Sequence, residues 1–341
     1  MTRARDERCF VSTTTRPPDA YGARASSLVA RTAPMDPHGA WILRGPDERS
    51  RPPGAVPPRL RLFCLPQAGA GAWCFHGWSA RLPPDVEVLP VELPGRNSRA
   101  SEPADAHPTL QRLASAVLDG VRHLLPGGEL PGQPPNPPHY ALFGHSLGAW
   151  LAYEITCEVL RRRRELGDAI PMPTKLYLSG NRAPRLAGPD RDPDRENPTL
   201  AQLPESRFWP AFERRYGANP ALRSPEMRAR ILPILRADFH LAETYRPTNL
   251  GRFAFRVPAV AVGAVGDERT TDEGLAAWAR HFAPPCEDAG VRFFDVRWVR
   301  GVSPEWERRG EAYWGTPHRI VLDYPDELLA FMNDDLRGLT P

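Results

Sequence analysis

The sequence predicts an α/β protein, a mostly parallel central sheet with helices on both faces. Three observations carry that expectation. Short apolar runs alternate with longer stretches of helical period, the runs are apolar on both sides, and a Gly-x-Ser-x-Gly turn joins one run to the following helical stretch. Strands buried on both faces and separated by helices are the signature of this architecture. In chain order, RLRLFCL (59–65) starts by alternating and turns fully apolar, giving a first strand. VEVLPVEL (86–93), YALFG (140–144), KLYLSG (175–180), VPAVAVG (257–263) and VRFFDVRWV (291–299) give five more. Helical patterns cover 109–125, 147–166, 272–283 and 325–337.

Two segments interrupt the alternation. GELPGQPPNPP (128–138) is too rich in proline for a helix or a ladder and reads as a loop inserted before the third strand. Residues 199–245 are helical in pattern without a strand, with Phe208, Trp209, Phe212, Tyr216, Ile231, Leu232, Leu235 and Phe239 as their apolar set. Helices inserted between two strands form a lid over the sheet's active edge, and the same residues also suit a packed core. No repeat of 20–50 residues is present, which excludes solenoids and propellers.

Composition narrows the function classes. No apolar run approaches the ~18 residues of a membrane-spanning helix. The N-terminus MTRARDERCF has no apolar h-region, arguing against a secretory signal. Five scattered cysteines (Cys9, Cys64, Cys74, Cys157, Cys286) show no metal or disulfide spacing, so a reducing cytoplasm and no metal or cofactor are expected. Residues 1–58, rich in Arg, Pro, Ser and Thr, are expected to be a disordered extension, with the folded α/β domain at 59–341. Residues 1–34 share the Arg and Ser/Thr content of transit peptides, but Asp6, Glu7 and Asp19 argue against one, and a translation start at Met35 is the plainer reading. The net charge of +3 resides in this extension, because residues 1–60 hold ten arginines against six acids and the rest nets −1. A nucleic-acid partner is therefore not expected.

The chemistry centres on Gly144-His145-Ser146-Leu147-Gly148. It follows the strand YALF and precedes a helix on which Leu151, Ile155 and Val159 recur every four residues. Two glycines permit the sharp turn that lifts a serine hydroxyl above a sheet edge, a nucleophile elbow. A serine needs a base, and the base an acid, in the chain order Ser, acid, His. Asp267, after the strand VPAVAVG and with Gly263 and Gly266 marking its loop, is the candidate acid, with Asp272 as the alternative. Only His281 and His318 follow Asp267. His281 lies in the helical pattern EGLAAWARHF and is expected on a helix surface, which leaves His318 as the base. An oxyanion needs preorganised donors. The N–H of Leu147 is one, and the N–H of Ala68 or Gln67, in the small-residue loop LPQAGAGA (65–72), is the other. That loop lacks the spacing of a dinucleotide site. Arg161–Arg164 end the helix after the serine, where they either face solvent or dock an acidic partner.

Read together, LFCLPQAGAGAWCFHGW, LPPDVEVLPVELPGRNSR, FGHSLGAWLAYE, LPILRADFHLAETYRP and GDERTTDEGLAAW resemble the type II thioesterases of nonribosomal peptide and polyketide synthesis, over about 59–335. The resemblance implies an α/β-hydrolase fold with a helical lid. It also implies hydrolysis of acyl thioesters from phosphopantetheine carrier proteins, clearing stalled or wrongly loaded carriers. It implies a cytoplasmic monomer that needs no cofactor. The family's nucleophile falls on Ser146, its acid on Asp267, its base on His318 and its oxyanion loop on 66–71. Two features depart from the family pattern. Gln67 stands where histidine is frequent, and an insertion, 302–317 with Trp306, Tyr313 and Trp314, replaces a short Gly-Gly-His-Phe turn before His318. Two other readings share these residues: a general carboxylesterase or lipase on the same triad, and a hydrolase-fold binding protein that has lost catalysis.

Overall fold

The structure is a computed structural model that describes residues 41–43, 56–131, 135–137, 139–248, 254–285, 292–300 and 316–339. All of these belong to the unit Pro34–Pro341. Six strands form one sheet: β1 (Leu60–Leu65), β2 (Val86–Pro90), β3 (His139–His145), β4 (Lys175–Ser179), β5 (Ala259–Val265) and β6 (Phe294–Arg300). Their spatial order is β2-β1-β3-β4-β5-β6 and every pairing is parallel. Each of the six expected runs has become a strand, and β1 and β3 are neighbours, the first leading into the loop 66–71 and the second into the elbow.

The strands read as continuously apolar because both faces are covered. Along β1, Phe63 and Leu65 enter one core with Leu142 of β3, while Leu62 and Cys64 enter the other with Ala141 and Phe143. The first core is closed by α1 (Leu110–Val121) and α2 (Leu147–Arg161). Two helices of the lid follow, α3 (Glu205–Tyr216) and α4 (Pro225–Thr244). After the short α5 (Asp272–Ala276) and α6 (Ile320–Asp323), α7 (Asp326–Gly338) closes the second core with Leu328, Leu329, Met332 and Leu336. Caps mark several starts: the side chains of Thr109, Ser224 and Thr271 accept the N–H groups of Arg112, Met227 and Gly274. Among the described residues no helix is long and apolar enough to cross a membrane.

Three expectations are corrected. Residues 41–43, expected within the disordered 1–58, pack at the sheet edge: Ile42 forms an antiparallel bridge with Val91, and Leu43 N–H donates to the Pro90 carbonyl at 3.1 Å. The Arg99 guanidinium stacks 3.6 Å above the Trp41 ring. A three-residue segment is too short to show a period, so the sequence hid it. His281, expected on a helix surface, is 2% exposed. The expected helix tightens after Ala276 into a 3-10 turn, Ala277–His281, and the His281 ring packs on Tyr153 and Trp278, with Nδ1 2.9 Å from the Tyr153 hydroxyl. Burial pulls its pKa down to about 4. Third, the helix over 147–166 ends at Arg161 and continues as a π-helical turn, Arg162–Leu166. Most of its arginines there have intramolecular partners: Arg161 and Arg162 pair with Glu158, Glu165 and Asp119, and Arg163 donates to the Ile170 carbonyl. The insertion aromatics Trp306, Tyr313 and Trp314 lie outside the described residues.

Candidate active site

Ser146 sits between β3 and α2 with φ 54° and ψ −116°, one of two non-glycine residues at positive φ among the described residues. The turn is tight enough that a Cβ at Gly144 would come within 2.0 Å of the Gly148 carbonyl oxygen, and one at Gly148 within 2.1 Å of that of Leu65. Gly144 thus lets α2 fold back on β3, and Gly148 lets the elbow press against β1. The strained serine is held from below: its N–H donates to the Ser179 carbonyl at 2.8 Å, and the Asn181 amide donates to its carbonyl at 2.9 Å.

The structure brings Ser146, His318 and Asp267 together. His318 Nε2 lies 3.1 Å from Ser146 Oγ, and His318 Nδ1 lies 2.9 Å from Asp267 Oδ2. His318 follows Thr316 and Pro317 on a 3-10 turn, Pro317–Arg319, so the position after the insertion meets the elbow. Asp267 is held by a donor network of its own, from the Thr270 hydroxyl at 2.6 Å and the Arg269 N–H at 2.9 Å. Burial opposes ionisation of Asp267, but the charge and hydrogen bond of His318, with those two donors, keep its carboxyl at about 2. Asp267 is therefore an anion at neutral pH, able to orient an imidazole and to stabilise its charged form. Asp272, the alternative acid, is exposed in the first turn of α5.

A cavity of about 60 Å³ opens above Ser146. Ala68, Leu147 and His318 line it from the sheet side, Tyr216 and Phe239 from the lid. The segment 199–245 is thus both things expected of it: it packs a core of its own around Phe208, Trp209, Leu235 and Phe239, and it roofs the cavity. Leu147 opens α2, so its N–H has no acceptor within the helix. Ala68 N–H has no hydrogen-bond acceptor among the described residues. Gln67 does not line the cavity, and its side-chain Oε1 is buried without a partner among the described residues. Those residues also contain no group of three or more His, Cys, Asp or Glu side chains able to hold a metal ion.

Two charged devices around the cavity escaped the reading of the sequence. Asp238 on α4 accepts two hydrogen bonds from Arg96, at 2.8 and 2.9 Å, and a third from the Gly69 N–H at 2.8 Å, with Arg96 and Asp238 both buried. This brace ties the lid to the loop that carries Ala68. On the other side Arg269 forms a two-pronged pair with Asp192 at 2.9 and 2.6 Å, and Arg215 of α3 pairs with Asp194 at 2.9 Å. The first had a signal in the sequence, an acid on the same helical stripe as Leu235 and Phe239, where a buried charge needs a partner.

Residues 60–285 match the Thioesterase domain family. The chain is 34% identical over 250 residues to thioesterase PikA5 of Streptomyces venezuelae, covering 72% of this chain and 76% of that protein. It is 31% identical to the gramicidin S biosynthesis protein GrsT of Aneurinibacillus migulanus, covering 69% and 83%. Among solved structures it resembles RedJ, the thioesterase from the prodiginine biosynthetic pathway in Streptomyces coelicolor, with TM-score 0.60, 31% identity, and coverage of 87% of this chain and 99% of that one. The elbow, the mostly parallel sheet and the helical insertion agree with this kinship, and the chain belongs to the Thioesterase domain family.

Proposed function

We propose that this thioesterase hydrolyses acyl thioesters carried on the phosphopantetheine arms of carrier proteins in nonribosomal peptide or polyketide synthesis, releasing stalled or wrongly loaded acyl groups. The observation that carries the mechanism is the unbroken hydrogen-bonded line Asp267–His318–Ser146 opening into a roofed cavity. His318 takes the Ser146 proton at Nε2 as Oγ attacks the thioester carbon, and Asp267 stabilises the imidazolium that results. The carbonyl oxygen becomes an oxyanion that the N–H groups of Leu147 and Ala68 receive. The tetrahedral intermediate collapses to an acyl-serine, and His318 returns the proton to the departing pantetheine sulfur. Water, deprotonated by His318, then attacks the acyl-serine, and the free acid leaves with Ser146 restored.

The lid supports a substrate delivered on an arm, because Tyr216 and Phe239 line the cavity opposite Ala68 and Leu147. The Tyr216 ring stands 5.4 Å from that of His318, shielding the base from bulk water. The intact line of hydrogen bonds speaks against a binding protein that has lost catalysis. The test is intact mass spectrometry of an acylated carrier protein incubated with the full chain, beside an oxygen ester of the same acyl group. Faster release from the carrier is expected. Faster hydrolysis of the oxygen ester would favour the carboxylesterase reading.

A further inference from the structure

The reaction sequence leaves one member of the elbow without a role, His145. It is wholly buried, and its ring occupies a niche in which a Cβ at Gly180 would lie 2.4 Å from its Cε1. Nε2 stands 2.7 Å from the backbone carbonyl oxygen of His318, and Nδ1 3.0 Å from Ser179 Oγ. A carbonyl oxygen only accepts, so the proton is on Nε2. Nδ1 of the neutral ring is then bare and accepts the Ser179 hydroxyl hydrogen. Burial, and after it the neighbouring His318, push the His145 pKa down to about 3, so the ring is uncharged at neutral pH.

We infer that His145 is a positioning residue: its Nε2–H fastens the His318 backbone to the elbow and so sets where the His318 imidazole meets Ser146. Two adjacent residues thereby grip both ends of the base, Ser146 at the ring and His145 at the carbonyl. The connection from the end of β6 to His318 is long in sequence, and the Arg319–Asp323 pair lies on the far side of the base. The donor must also be neutral. The two rings lie 5.1 Å apart, and His318 becomes cationic in both halves of the reaction, so a charged neighbour would oppose each proton transfer. This inference rests on Ser146 and His318 acting as nucleophile and base, not on the identity of the acyl donor.

The test compares His145→Leu with His145→Gln in the full chain, Gln keeping an N–H donor at the place of Nε2. Three quantities are read: the labelling rate of Ser146 by a fluorophosphonate, kcat and KM on an acyl-carrier thioester, and the pH profile of kcat/KM. His145→Leu is expected to lower labelling and kcat by about 10²-fold, the cost of a misplaced catalytic group. KM should stay within about twofold and the acidic limb of the profile should move, with Gln restoring most of both. Equal losses in Leu and Gln, or a loss confined to KM or to melting temperature, would overturn the inference. Should His145→Leu not fold, Ser179→Ala, which frees the tautomer, is expected to give a smaller loss of the same kind. Unchanged kcat and pH profile in that folded variant would also overturn it. Normal labelling of the wild-type chain without turnover of any carrier thioester would sink the proposed substrate and leave this inference standing.

Discussion

Below Ser146 the protein is held by apolar contact, and above it the lid is fastened by charge. The sheet alternates its side chains between two cores, with Phe63, Leu65 and Leu142 on one face and Leu62, Cys64 and Phe143 on the other, all 3% exposed or less. The lid has a smaller core around Phe208, Trp209 and Phe239 and relies on polar ties. Asp238 joins Arg96 and Gly69, Arg215 joins Asp194 and the Asn197 carbonyl, Arg236 joins the carbonyls of Ala201 and Leu203, and Glu243 accepts from Leu200 and Ala201. Hydrophobic burial is non-directional and suits a scaffold, whereas a buried ion pair holds one geometry and is costly to leave half-made. The difference teaches that the body supplies stability, while the lid's brace sets the shape of the loop 66–71.

Variants of the body that touch only chemistry should show the largest effects. Ser146→Ala is expected to lower kcat by about 10⁶-fold with melting unchanged. Near-normal release from acyl-carrier would reject Ser146 as nucleophile. Asp267→Asn comes next, at about 10⁴-fold in kcat through the wrong imidazole tautomer, measured on the same substrate.

The lid is then tested through its brace. Asp238→Ala leaves Arg96 buried without its anion and Gly69 N–H without its acceptor, for an expected stability loss of about 3–5 kcal/mol in denaturant unfolding and a fall in kcat. Arg96→Met combined with Asp238→Leu should recover much of the stability but not kcat. Recovery of both would show that the brace is packing alone.

A pH series separates the cores from the ties. Burial raises Glu92 and Glu154 from 4.5 to about 7 each, against hydrogen bonds from Asn97 and Tyr245. A carboxyl whose folded pKa lies above its unfolded value binds more protons when folded. Its stabilising effect is therefore present below pH 4.5 and lost as pH rises to about 7. Glu92→Gln should remove about 3 kcal/mol of that loss, seen as a flatter curve of unfolding free energy between those limits. The smallest effect belongs to the rim: Arg214, 44% exposed and paired with Asp194, should cost less than about 1 kcal/mol as Arg214→Ala in thermal unfolding.

Much of the body was legible in sequence because its signals are local. The six strands, the elbow and the start of α1 at Thr109 each depend on residues within a few positions of one another. Asp267 was singled out by chain order and its loop glycines, and its contact with His318 lies across 51 positions. His281 was misplaced because a helical period gives no warning of the 3-10 turn that swings it inward. Arg96 and Asp238 stood out only as a charged residue after a strand and an acid on an apolar stripe, and nothing local joins them.

By itself, then, the sequence determined the alternation of strands and helices, the glycines that let Ser146 adopt its strained turn, and the chain order of Ser146, Asp267 and His318. Only the tertiary structure decided that His318 meets Ser146 from 172 positions away, that Asp238 reaches Arg96 across 142, and that His145 grips the His318 carbonyl across 173. Backbone geometry and side-chain period are written within one turn or strand. Hydrogen bonds between distant loops depend instead on how the sheet, once twisted and covered, brings the ends of its strands together.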